Sequence, residues 1–134
     1  VNTSLNGKWS YQSFRHDPIV VRDGKVEGKP NLAMAWSPTG ALEVVTGEAG
    51  EVNGTLTFAP GVALKVSGKV IPATDKCFAA VELIGEGLSS VNRIKGFFIP
   101  GSDLVVGTIL CEANDLLKLP NGTVGPFVLM PIKA

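Results

Sequence analysis

Along most of the chain, apolar residues recur at every second position between short clusters of turn residues. Val52, Gly54, Leu56 and Phe58 alternate with Asn53, Thr55 and Thr57, and Pro60-Gly61 follows. Val62, Leu64, Val66, Gly68 and Val70 then alternate with Lys65, Ser67 and Lys69, among others. Successive strand side chains point to opposite faces, so this pattern predicts a hairpin with one buried face and one wet face. The design returns at residues 91–99 and 104–111, joined through Pro100-Gly101. Further strands are predicted over residues 8–15, 77–84 and 124–132, the last entered through Asn121-Gly122. Residues 32–37 and 41–46 are predicted to pair across Ser37-Pro38-Thr39-Gly40.

No segment sustains a period of 3.6, and 16 glycines and 9 prolines would interrupt one. The one helical candidate is residues 111–119, stopped by Pro120; an irregular connection or a single turn is expected there. Residues 17–29, with charges of alternating sign, read as a solvated loop. No linker or low-complexity tract divides the chain, so residues 1–134 are expected to form a single domain. Eight or nine consecutive strands with short turns predict an all-β fold, an antiparallel up-and-down β-barrel of about eight strands. A β-sandwich is the rival, but it needs longer crossovers than these turns provide.

Composition adds a question of where apolar side chains go. Hydrophobic residues are 45% of the chain and charged ones only 18%, against the usual charged share of about 25%. An apolar cavity wall or a subunit interface would absorb the surplus. No membrane span is expected, because Gly, Pro or a charge breaks every apolar run well short of about 18 residues. Aromatic residues are too few, at 7%, for the girdles of a membrane barrel. Lys and Arg balance Asp and Glu at 12 each, with no basic stripe, so nucleic acid is not an expected partner.

Cys77 and Cys111 lie in no metal-ligand spacing and read as inert apolar residues, with a disulfide between them as the lesser alternative. Asn-x-Ser/Thr triplets begin at Asn2, Asn53 and Asn121; the two Asn-Gly-Thr examples read as turn chemistry. No signal peptide is expected, because Val1 is followed at once by polar residues; Val1 is not a start methionine, which leaves a removed leader or a trimmed chain as alternatives.

Asn6-Gly7-Lys8-Trp9, followed by an alternating strand, resembles the Gly-x-Trp entry of the calycin barrels: lipocalins, fatty-acid-binding proteins and avidins. The resemblance implies that Trp9 closes one end of the barrel and that Gly7 makes the turn before it. Avidin-type biotin pockets are lined by several tryptophans, whereas this chain has Trp9 and Trp36 alone. Thr74-Asp75-Lys76 matches only part of the lipocalin Thr-Asp-Tyr element. The resemblance therefore implies a shape and not a ligand.

Candidate chemistry is sparse. By strand parity, Trp9, Tyr11, Ser13 and Arg15 share one face. With Trp9 as the plug, Tyr11, Ser13 and Arg15 climb towards an open mouth. A few polar groups on an apolar wall orient a small molecule. Trp36 and Phe98, with Phe58, are the expected aromatic wall. The candidate ligand-binding residues are thus Tyr11, Ser13, Arg15, Trp36 and Phe98. His16 reads as a loop residue before Asp17-Pro18, without a nucleophile to serve. Glu82 and Arg93 each interrupt an apolar strand; they are either an exposed cross-strand pair or one buried acid–base group. No metal site and no cofactor is implied.

The strand of residues 124–132 is apolar on both faces, and the strand before it has Leu104-Val105-Val106 and Ile109-Leu110. Covering both faces predicts a homo-oligomer through the barrel wall. Three functions stand at this point. The first is binding of a hydrophobic or amphipathic small molecule in the lumen. The second is a cofactor-free isomerase or cyclase acting on an apolar substrate. The third is a structural oligomerisation module.

Overall fold

In the computed structural model, residues 4–15, 20–27, 35–114 and 121–133 are described. Eight antiparallel strands close into a barrel: β1 (Gly7–Ser13), β4 (Gly40–Thr46), β5 (Glu51–Ala59), β6 (Val62–Ile71), β7 (Ala80–Gly87), β8 (Ser90–Phe98), β9 (Val105–Asn114) and β10 (Val124–Pro131). Each strand from β4 to β10 pairs with its neighbour in sequence, and β1 seals the barrel between β10 and β4. This is the expected all-β up-and-down barrel. Closure leaves no strand edge unpaired, which is why short turns suffice.

The Pro60-Gly61 and Pro100-Gly101 turns stand where the pattern puts them, with Gly61 and Gly101 at φ of 75° and 78°. Other expectations need correction. Within the stretch read as a loop, β2 (Val20–Arg22) and β3 (Lys25–Glu27) form a separate hairpin. Asp23 and Gly24, both at positive φ, supply its turn. Residues 35–37 do not form a strand; Ala35 makes one isolated bridge to Phe14, and residues 32–34 lie outside the described residues. Cys77 is exposed in the loop before β7, which begins at Ala80 instead. Residues 111–114 continue β9 rather than start a helix. Asn121-Gly122 is a turn, with Gly122 at φ 88°, whereas Asn53-Gly54 lies inside β5. Both cysteines are free thiols, Cys111 buried and Cys77 exposed.

Inward-facing apolar residues from the eight barrel strands make a single core. One end is closed. Trp9 is buried there, and its indole Nε1 donates to the Leu5 carbonyl at 2.8 Å. Leu5 is itself fully buried, and its N–H donates to Thr46 Oγ1 at 3.0 Å. Further up, Phe127 needs room that Gly96 provides. Gly96 and Gly107 are paired across β8 and β9, and Gly107 is also paired with Phe127. A Cβ on Gly96 would stand 2.7 Å from Phe127 Cζ, so only the missing side chain lets the ring lie there.

The outer wall is asymmetric. Glu51, Lys69, Glu82 and Lys95 stand side by side on β5 to β8 in one row of alternating sign. Lys69 and Glu82 are 3.9 Å apart. On β9, β10 and β1 the outward positions Thr108, Leu110, Pro126, Val128, Met130, Ser10 and Gln12 carry no charge, with Glu112 and Lys8 flanking them, and Leu110 and Met130 are exposed.

Candidate functional site

The end of the barrel opposite Trp9 holds a cavity of about 330 Å³. Its deep wall is Tyr11 on β1, Leu56 on β5, Leu64 on β6 and Ile109 on β9. Phe58, Val62 and Leu88 stand nearer the strand ends. The segment before β4 contributes Trp36, Ser37 and Pro38. That segment is pinned to the top of β1. The Trp36 N–H donates to the Ser13 carbonyl at 2.9 Å. Thr39 Oγ1 donates to Gln12 Oε1 at 2.7 Å, and Gln12 Nε2 donates to the Ser13 carbonyl at 3.1 Å.

Tyr11 is held by two aromatic neighbours. Its ring stacks on Phe127 and meets Phe58 edge-on, with centroids 6.1 Å apart in both pairs. Burial pushes the Tyr11 hydroxyl up to about 12, and the nearby Ser13 hydroxyl opposes the rise. Proximity does not make a hydrogen bond of proper geometry here, because Ser13 Oγ has no partner. Tyr11 therefore enters the cavity as a neutral phenol.

A polar cluster faces this apolar wall. Ser90, Asn92 and Asn114 are buried and line the cavity together with Ser13. The Asn92 carboxamide donates through Nδ2 to Ser90 Oγ at 3.2 Å and to the Gly85 carbonyl at 3.5 Å. Ser90 in turn donates to the Gly87 carbonyl at 2.8 Å. A carbonyl only accepts, so this chain fixes the orientation of the amide. Asn92 Oδ1 is then the atom left over, buried and without a partner. Asn114 reaches the Cys111 thiol, whose ionisation burial pushes up.

Tyr11, Ser13 and Trp36 thus meet at one cavity, as three of the five candidate residues. Arg15 and Phe98 are not among its lining residues. Arg15 follows the end of β1, and Phe98 packs against the core at the end of β8 remote from Ser90. Glu82 and Arg93 do not pair with each other and lie on the outer wall. Glu82 faces Lys69, and Arg93 pairs with Glu112. His16 lies outside the described residues.

Asn92 and Asn114 were missed for different reasons. Asn92 shares strand parity with Ile94, a signal present in the sequence. Asn114 falls in the stretch read as a short helix or irregular connection, whereas β9 continues through it, with a bulge: Val91 pairs with Ala113 but Asn92 with Cys111, leaving Glu112 as the extra residue. The bulge shifts the alternation by one and turns Asn114 inward beside Cys111.

No protein-family model, curated protein or solved structure matches this chain. Among the described residues, no group of three His, Cys, Asp or Glu side chains is placed to hold a metal ion. No helix of the described residues is long and apolar enough to cross a membrane.

Proposed function

We propose that this is a calycin-like barrel that binds an apolar or amphipathic small molecule in its open end. The observation that carries the reading is a largely apolar cavity at the open end whose lining includes Ser13 and Asn92, two buried side chains that each keep an oxygen without a partner. A buried polar atom without a partner costs about 1–3 kcal/mol, so a native structure that keeps two at one cavity has a use for them there. The volume lies at the lower end of the range of about 300–1,000 Å³ for small-molecule sites. Among the described residues lining it, Tyr11 alone is an acid, and a phenol titrating near 12 is a poor proton carrier at neutral pH. That favours binding over an isomerase or cyclase.

We further propose that a second copy covers the largely apolar wall around Leu110 and Met130 on β9 and β10, beside β1. Leu110 and Met130 are 40% and 45% exposed there, and the positions between them on β10 and β1, Val128, Pro126, Ser10 and Gln12, carry no charge for face-to-face packing to desolvate. Native mass spectrometry of the purified protein tests both parts. A dimer releasing a small apolar compound on denaturation is expected. A monomer would overturn the second part. Absence of any bound compound, together with failure to take up added amphiphiles, would overturn the first.

A further inference from the structure

The chemistry of the polar cluster narrows the ligand, on the reading that the cavity is a binding site. Asn92 is 4% exposed, and its free Oδ1 can only accept a hydrogen bond. Ser13 is 1% exposed, and its hydroxyl can donate or accept. The Ser90 hydroxyl is already committed as a donor to the Gly87 carbonyl. A group that satisfies both free atoms therefore offers one hydrogen to Asn92 and one lone pair or hydrogen to Ser13. A neutral hydroxyl or a primary amide does this.

Charged heads do not. No Lys, Arg, Asp or Glu is among the described lining residues. A carboxylate would be stripped of water and set against the Asn92 carbonyl oxygen. An ammonium would find no anion. Either loses more by desolvation than the neutral dipoles return. We infer that the ligand is an uncharged amphiphile, an aliphatic alcohol or amide, whose head bridges Ser13 and Asn92 while its chain lies against Leu56, Leu64 and Ile109.

Isothermal titration of the intact protein with decanol, decanamide, decanoate and decylamine at neutral pH tests this. The alcohol and amide should bind at least about tenfold more tightly than the two ions, the scale of one buried hydrogen bond left unmade. Asn92→Leu should shrink that preference while still binding the aliphatic chain. Ser13→Ala, which removes no hydrogen bond of the folded protein, should weaken decanol binding without harming the fold. Tightest binding by decanoate or decylamine would overturn the inference but leave the lumen as a binding site. So would equal affinity for all four, which would mean that water serves Asn92. A preference undiminished in both variants would do the same. Binding by none of the four would overturn the inference and the binding reading together.

Discussion

Asn92, which lines the cavity, donates to Ser90 at 3.2 Å, and this bond turns the carboxamide so that its oxygen is the buried atom left without a partner. The barrel thus retains a destabilising feature at the place where a ligand would relieve it. Removing the unsatisfied atoms should separate stability from binding. Ser13→Ala deletes an unpartnered hydroxyl and is expected to leave the empty protein as stable or up to about 1 kcal/mol more stable. Urea unfolding with and without decanol checks this, the variant gaining less from the alcohol than the parent does.

The closed end should be far less forgiving. Trp9 is buried against Leu5 and donates to its carbonyl. Trp9→Ala is expected to cost about 3–5 kcal/mol, in the range for aromatic truncation in a core. Equilibrium unfolding measures it, and a change near zero would contradict the plug.

How far the sequence reaches follows from these two ends. Alternation placed Trp9, Tyr11 and Ser13 on one buried face, because strand geometry leaves parity no freedom while a strand runs straight. Asn114 escaped because the run to Pro120 reads as a short helix or irregular connection, and even a strand reading would have failed at the bulge at Glu112, where parity shifts by one. Parity also says nothing about height along the barrel. Phe98 and Asn92 share a face of β8, yet they sit at opposite ends of the strand. Segment 35–39 reaches the mouth through hydrogen bonds to Gln12 and Ser13, pairings that no local pattern encodes. The apolar outer face was legible on β9 and β10 as apolar residues at both parities, but that β1 lies beside them emerges only from the closure of the barrel.

Alkaline pH should expose the burial of Tyr11. The hydroxyl titrates near 12 in the folded protein against an ordinary value of 10.0. Its neutral form is favoured by folding, so the stability it contributes is whole below pH 10 and is lost as pH rises towards 12. The loss is about 2–3 kcal/mol for two units. Chemical unfolding across this window should show the decline in the parent and a smaller one in Tyr11→Phe.

The turn between β7 and β8 is another site where stability and binding oppose one another. Leu88 and Ser89 both adopt positive φ, at 53° and 55°, a conformation that suits Asn and Gly. Leu88 nonetheless lines the cavity. Leu88→Asn should relieve about 1 kcal/mol of backbone strain and weaken decanol binding by removing apolar wall. Thermal unfolding and calorimetry on the same variant read both effects.

Self-association should depend on the outer wall around Leu110 and Met130 and not on the cavity. Met130→Glu puts a charge on the outer face of β10, where Met130 is already exposed in the single chain. The variant is expected to be monomeric by light scattering with unchanged decanol affinity.

The most direct test of the central claim is a titration of the methyl-labelled protein with decanol, followed by nuclear magnetic resonance. Shifts should concentrate on Leu56, Leu64, Leu88 and Ile109 inside the barrel, while Leu110 and Met130 on the outer wall stay still. Shifts confined to Leu110 and Met130, or none at any methyl, would contradict a ligand-binding lumen.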